Sequence, residues 1–171
     1  MNAEQLRAAQ GPLKQRYRDD PSAALVTLHA RGQLVPEELA CKIARAHPSA
    51  AAGLHPAAGG DGSYACSGDM LLEALVACAG TTLCAVAHAT KLPLRGGTAR
   101  AEGDLDFRGT LGVAKDAPVG FSAIRLAFEL DSDATDAQLA KLRELTDRYC
   151  VVFHSLRVTP TTSIMTAPRG V

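Results

Sequence analysis

Two cysteines, Cys78 and Cys150, lie in segments whose residue patterns otherwise predict core helices. Cys78 follows an apolar run that begins at Leu71, and Cys150 ends a charged amphipathic segment. A cysteine in such a position usually acts as a small apolar side chain. A thiolate, by contrast, is a nucleophile that peroxides oxidise to a sulfenic acid, which a second thiol can convert to a disulfide. The two cysteines are therefore either core residues or, if the fold brings them together, a redox pair.

The other three cysteines, Cys41, Cys66 and Cys84, complete an odd total of five. An odd number without an export signal argues against a structural disulfide framework. No Cys-x-x-Cys motif occurs, and Cys78 and Cys84 point in different directions on a helix. We therefore predict no structural zinc site. Cys66 precedes the predicted start of a helix and is the alternative reactive thiol, whereas Cys41 and Cys84 are interpreted as structural.

Composition limits the classes of function. The chain has 171 residues, of which 47% are hydrophobic, so it can bury the core of one domain. Its 18 basic and 18 acidic residues balance, which gives no indication of a nucleic-acid partner. Charged residues interrupt the apolar stretches, and the first residues are polar. We therefore expect neither a membrane span nor a signal peptide, and we expect a cytoplasmic protein.

Hydrophobic periodicity predicts an α+β domain with an antiparallel sheet packed on helices. A helix over residues 2–18 precedes a hairpin of strands 24–30 and 39–46, with its turn around Gly32 and Pro36. The central helix is predicted to run from Ser67, as N-cap, to about Thr90. Leu71, Leu75, Cys78, Thr82 and Ala85 fall on one face, and because the opposite face is nearly as apolar, the helix is expected to be buried on most sides. The remaining elements are predicted as strands 99–108 and 121–130, a helix capped by Thr135 or Asp136, and a last strand 161–166.

The chain around the second cysteine predicts a break between two helices. If the helix ends at Tyr149, Cys150 opens a short helix over Val151–Leu156. Free N–H groups at that position favour a thiolate at Cys150. His154, one turn further on, would add a positive charge when protonated.

The segment from Ser67 to Leu83 resembles the first cysteine helix of OsmC/Ohr-type proteins. Strands over residues 98–108 and 121–130 follow as in that family, and so does a late helix, 139–150, that ends in a second cysteine. The resemblance covers residues 24–166. It implies an intertwined homodimer whose antiparallel sheets wrap around the cysteine helices, with residues 23–171 as a single OsmC-like domain and residues 1–22 as a helical extension.

The resemblance also implies a function. Well-studied members of the family are thiol-dependent peroxidases that reduce organic hydroperoxides. Cys78 would attack the peroxide, Cys150 would resolve the sulfenic acid, and an external dithiol would regenerate the enzyme without a metal or organic cofactor. Arg31, at the predicted hairpin turn, would stabilise the Cys78 thiolate, although Arg16, Arg18 and Arg45 are alternatives. Asp69 would take the place of the glutamate that orients this arginine. A hydroperoxide pocket would be lined by Leu, Val and Met.

Two departures from the family pattern support an alternative function. The acidic residue is Asp69 rather than Glu, and Val151 follows the second cysteine where many relatives have Pro. A dimer of the same fold could therefore bind a small apolar or thiol-containing ligand without turnover.

Overall fold

In a computed structural model, residues 3–38, 40–43 and 51–167 are described. The helices are α1 (Ala3–Asp19), α2 (Ser67–Ala89), α3 (Phe107–Thr110), α4 (Asp136–Tyr149) and α5 (Val151–Ser155). The strands are β1 (Leu25–Val35), β2 (Ala40–Ile43), β3 (Ala52–Gly53), β4 (Ala65–Cys66), β5 (Leu94–Asp106), β6 (Phe121–Ser132) and β7 (Thr161–Thr166). The element order is the one that the periodicity predicts, with two short additional strands and one short additional helix.

One five-stranded sheet, in the order β2-β1-β5-β6-β7, forms the frame of the domain. Among β2, β1, β5 and β6, each strand is antiparallel to its neighbour, as predicted. By contrast, β7 runs parallel to β6. The reason is the connection: α4 and α5 carry the chain back across the sheet before β7 begins, and such a crossover produces a parallel neighbour.

The two faces of the sheet differ because polar and apolar residues alternate along its strands. The inner face carries the core residues Leu28, Leu34, Ala101, Leu126, Phe128 and Leu130, which pack against α2. The outer face carries charged side chains that pair across strands. Arg125 Nη1 lies 2.6 Å from Asp104 Oδ2, and Arg125 Nε lies 3.1 Å from Glu102 Oε2.

The first hairpin is confirmed, but its turn lies further along the chain than predicted. A short 3-10 turn at Pro36–Glu38 joins the strands, and Gly32 lies within β1, opposite Ile43 of β2. Arg31 is consequently an exposed residue in the middle of an 11-residue strand rather than a turn residue. Leu39 and residues 44–46 of the predicted second strand lie outside the described residues.

The central helix α2 is confirmed, with two differences. Cys66 is the N-cap, because its backbone is extended (φ −74°, ψ 138°) and helical geometry begins at Ser67. Asp69 lies in the first turn, as predicted. The prediction that the helix is buried on most sides is wrong: Leu71 is 42% exposed and Ala85 is exposed, whereas Leu72, Val76, Ala79 and Leu83 are fully buried. Both sides of the helix are apolar, so the sequence pattern could not orient it.

Part of α2 is therefore an apolar surface that the described chain leaves open. By length and composition, α2 is the one helix among the described residues that could cross a membrane; a core helix of a soluble protein has the same properties. Only 44% of its most apolar 18-residue stretch is buried.

The helix α1 packs on a second, smaller core. Tyr17 is 2% exposed, and its hydroxyl donates a hydrogen bond of 2.8 Å to the Ala57 carbonyl. Gln10 donates one of 3.0 Å to the Ala58 carbonyl. Pro12 lies inside this helix without ending it.

Two consecutive helices carry the chain to the last strand. Thr135 is the N-cap of α4, and a capping box joins it to Gln138, which confirms the predicted start. The chain then breaks at Cys150, and α5 begins at Val151. The predicted kink between two helices is thus confirmed.

Candidate thiol site

The fold brings Cys78 and Cys150 together. Cys78 lies in the middle of α2 and is partly exposed, whereas Cys150, in the link between α4 and α5, is fully buried. The Cys150 thiol donates a hydrogen bond to the sulfur of Cys78. The periodicity of the sequence left open whether the two residues were separate core side chains, and their contact settles that they are neighbours.

Three further groups donate hydrogen bonds to the sulfur of Cys78. They are the backbone N–H groups of Val151 and Val152 and the hydroxyl of Thr82. The first N–H groups of a helix have no partner within the helix, so the break after Tyr149 leaves those of α5 available. Thr82 lies one turn after Cys78 on α2, where residues four apart are neighbours.

These contacts give the two thiols different acidities. Burial acts to raise the pKa of Cys78, but the hydrogen bonds from Val152, Cys150, Val151 and Thr82 outweigh it and lower that pKa below its ordinary value. Burial raises the pKa of Cys150 to about 11. The N–H groups at the start of α5 act on Cys150 in the predicted direction, but burial outweighs them and the thiol is not activated. Hydrogen bonds from Phe153 and Val152 reach Cys150 as well, but burial dominates there.

Arg31 and Asp69 lie around a different cavity. They line a cavity of about 510 Å³ beside β1, called here the polar cavity because most of its lining residues are polar: Thr27, His29, His55, Glu73, Arg100 and Glu102. Cys78 is not among the lining residues. None of the principal influences on the pKa of Cys78 is a cation; they are burial and hydrogen bonds.

A larger, mainly apolar groove of about 710 Å³ lies beside the N-terminal half of α2. Its apolar side chains come from five parts of the chain and include Leu54, Leu71, Leu105, Phe107, Val119, Phe121, Ile124, Leu156 and Val158. Leu71 precedes Cys78 by two helical turns, so the two lie on the same side of α2, about 10 Å apart along its axis. The sequence did not indicate this groove, because its lining residues converge only through the tertiary fold.

The remaining cysteines have separate environments. Cys66 lines the apolar groove. Cys84 is 1% exposed, and its thiol lies 3.7 Å from the Ala40 carbonyl. Burial raises the pKa of Cys84 and raises that of Cys41 to about 11, so neither is activated as a nucleophile. Within the part of the chain that the structure describes, no three His, Cys, Asp or Glu side chains converge as a metal site would require.

Comparison with known proteins identifies the family. The profile of the OsmC-like protein family matches residues 60–165, a range that includes both Cys78 and Cys150. The fold is similar to the crystal structure of an OsmC-like protein from Mycoplasma pneumoniae, with a TM-score of 0.54 and 16% identity over 61% of this chain and 74% of that one. No curated protein sequence gives a significant match. Because the family profile covers more than half of the chain, this protein belongs to the OsmC-like family.

Proposed function

We propose that this protein is a thiol-dependent peroxidase that reduces organic hydroperoxides. The observation that carries the proposal is the contact between a thiol of lowered pKa, Cys78, and a protonated neighbour, Cys150. A nucleophile of this kind needs its thiolate form at neutral pH, and a second thiol must lie within reach to resolve the oxidised product. The lowered pKa of Cys78 and its contact with Cys150, at the junction of α2 and α5, support the proposal on both points.

The reaction would proceed in three steps. The Cys78 thiolate attacks the distal peroxide oxygen, so that an S–O bond forms, the O–O bond breaks and an alcohol leaves. Cys150 then attacks the Cys78 sulfenic acid, which forms a disulfide and releases the second oxygen as water. An external dithiol reduces the disulfide by exchange and regenerates both thiols. The need for a reducing partner is consistent with a cytoplasmic location, which we also propose.

The apolar groove suggests which hydroperoxides would react. Its volume of about 710 Å³ is within the range of small-molecule sites, and it lies on the Cys78 side of α2. An organic hydroperoxide could place its hydrocarbon part against Leu71 and Ile124 while its peroxide group extends toward Cys78. Hydrogen peroxide has no such part, so we expect it to be a poorer substrate.

We also propose that the protein is a homodimer. The exposed side of α2 carries Leu71, Ala74 and Ala85, and the exposed residues Tyr149 and Val151 flank Cys150. An apolar surface of this kind on a soluble protein is usually covered by a partner. Sedimentation analysis of the full chain would test the proposal, and a monomer at micromolar concentration would contradict it.

One experiment tests the peroxidase function. The reduced protein is treated with one equivalent of cumene hydroperoxide, digested and mapped by mass spectrometry, while consumption of the hydroperoxide with an added dithiol is followed in parallel. A Cys78–Cys150 disulfide and multiple turnovers are expected. Cys78→Ser should abolish turnover, and Cys66→Ser, which removes the alternative thiol, should not. Turnover that survives in Cys78→Ser would refute the proposal.

The separation of the groove from both reactive thiols favours a second candidate, a non-catalytic binding protein. Neither Cys78 nor Cys150 lines the groove. If this alternative holds, an apolar or thiol-containing compound will raise the melting temperature while both thiols stay reduced under mild peroxide. The mass-spectrometric experiment separates the two candidates directly.

A further inference from the structure

We propose that Cys150 is also the general acid of the first chemical step, and that its thiol proton passes to the alkoxide as the O–O bond of the hydroperoxide breaks. This proposal rests on the peroxidase function proposed above and assigns Cys150 a second role in it. A resolving cysteine needs only to reach the sulfenic acid after that acid has formed. The contacts of Cys150 place a proton donor at Cys78 before the reaction begins.

The donors around Cys78 differ in their ability to release a proton. The N–H groups of Val151 and Val152 and the hydroxyl of Thr82 donate hydrogen bonds to the sulfur, as does the Cys150 thiol. A backbone amide or an alcohol is about as weak an acid as the product alcohol itself, and so neither can protonate an alkoxide effectively. A thiol is far more acidic. Cys150 is therefore the one of these four donors that can supply the proton.

The acidity of Cys150 fits this task. Burial raises its pKa to about 11, so it is protonated at neutral pH. The alkoxide that leaves a hydroperoxide is about as basic as hydroxide, and its conjugate acid is a far weaker acid than the Cys150 thiol. Transfer of the proton from the thiol to the alkoxide is thus favourable.

The atoms and electrons of the step balance. The Cys78 thiolate forms an S–O bond to the distal oxygen, the electron pair of the O–O bond passes to the leaving oxygen, and that oxygen takes the Cys150 proton. The products are the Cys78 sulfenic acid, an alcohol and the Cys150 thiolate. This thiolate then attacks the Cys78 sulfur, which forms the disulfide and expels hydroxide, and the hydroxide takes a proton from solvent.

The transfer also solves a difficulty of the second step. A thiol whose pKa is raised to about 11 is almost entirely protonated at pH 7, so it would resolve a sulfenic acid slowly. If the first step removes the proton, Cys150 becomes a thiolate at the moment when its target appears. The N–H groups of Phe153 and Val152 donate hydrogen bonds to the Cys150 sulfur and would stabilise that thiolate.

Single-turnover kinetics test the proposal. Reduced wild type, Cys150→Ala and Cys150→Ser are mixed with cumene hydroperoxide and quenched with a sulfenic-acid trap and an alkylating reagent, and oxidation of Cys78 is followed by mass spectrometry. The Cys78 pKa of each variant is obtained from the pH dependence of its alkylation, so that rates are compared per thiolate. Cys84→Ala, which removes a buried thiol outside the site, is the control and should react like wild type.

We expect both Cys150 variants to oxidise Cys78 about 100-fold more slowly per thiolate than wild type, which is the usual size of a general-acid effect. Serine retains a hydrogen-bond donor but is a much weaker acid, so it should not rescue the rate. A wild-type rate per thiolate in Cys150→Ala, or its restoration in Cys150→Ser, would overturn the acid role. If wild-type Cys78 itself does not react with the hydroperoxide, the peroxidase function fails instead.

Discussion

The backbone N–H of Val152 donates a hydrogen bond to the sulfur of Cys78, although 74 residues separate the two along the chain. This contact joins the first turn of α5 to the middle of α2. It depends on the break at Cys150, since a continuous helix would have used that N–H for its own hydrogen bonding. The pKa of Cys78 is thus lowered by N–H groups at the N-terminus of α5 and not by the N-terminus of α2, the helix that carries it.

Replacement of Val151 by proline is expected to raise the pKa of Cys78. Val151 is the first residue of α5, where proline is well tolerated, and the extended backbone of Cys150 (φ −75°, ψ 111°) suits a residue that precedes proline. The substitution removes one of the N–H groups that donate to Cys78. Alkylation of Cys78 by iodoacetamide at pH 7 should slow by about tenfold or more, because a hydrogen bond to a charged group is worth about 1.5–3 kcal/mol.

Val151→Ala is the matched control, because it removes the side chain and keeps the N–H. Its alkylation rate should equal that of wild type. Equal rates in the proline and alanine variants would contradict the contribution of this N–H group.

Substitution of Arg31 by methionine tests whether Arg31 stabilises the Cys78 thiolate, as the family resemblance implies, or whether the hydrogen bonds to Cys78 suffice. Arg31 lines the polar cavity with Asp69, and no cation is among the principal influences on the pKa of Cys78. We expect the alkylation rate of Cys78 to stay within about twofold of wild type. Stability should not fall either, because Arg31 lies directly opposite Arg100 on β5, and like charges at such positions are unfavourable.

A tenfold slower alkylation of Cys78 in Arg31→Met would instead establish that the guanidinium stabilises the thiolate. The same measurement on Asp69→Asn would then show whether the carboxylate acts through Arg31.

Local signals in the sequence were sufficient to predict the longer helices and strands of this fold. Thr135 and Gln138 mark the start of α4 by a capping box, and strict alternation marks β5 and β6. Such signals depend on neighbouring residues only. The parallel β7 and the position of the hairpin turn were not predicted, since both depend on how the chain crosses or closes the sheet.

The chemistry of the two thiols depends on longer-range packing. The sequence placed free N–H groups near Cys150 and correctly located the break in the helix. It could not indicate that two of these groups reach Cys78, because that contact depends on how α5 packs against α2. Because both sides of α2 are apolar, the sequence pattern did not indicate which side faces the core. It therefore did not indicate the direction in which Cys78 points.

The ion pair between Asp104 and Arg125 should make stability depend on pH in the acid range. Hydrogen bonds from Arg125 and Thr27 lower the pKa of Asp104 to about 2. Because this value is below the unfolded one, near 3.9, the carboxylate stabilises the fold above about pH 4 and loses that effect as the pH falls toward 2. The pair is partly exposed, so we expect a contribution of about 1 kcal/mol.

Chemical denaturation of wild type and Asp104→Asn between pH 7 and pH 2 measures this contribution. The difference in the free energy of unfolding should be largest near neutral pH and vanish near pH 2. A difference that stays constant over this range would mean that the charge of Asp104 does not contribute.

Two glycine-to-alanine substitutions in helices should have different effects on stability. A Cβ atom at Gly80 of α2 would lie 2.6 Å from the Cys41 sulfur and 2.7 Å from its Cβ, so β2 would have to move away from the helix. Overpacking of this kind costs about 1–3 kcal/mol. A Cβ atom at Gly11 of α1 meets nothing within 4 Å apart from its chain neighbours. Because Pro12 follows and disfavours helical geometry at a residue with a Cβ, the usual gain from alanine in a helix is offset and we expect little change there. Denaturant unfolding of both variants measures their free energies of unfolding. If Gly80→Ala is as stable as Gly11→Ala, β2 does not pack closely on α2.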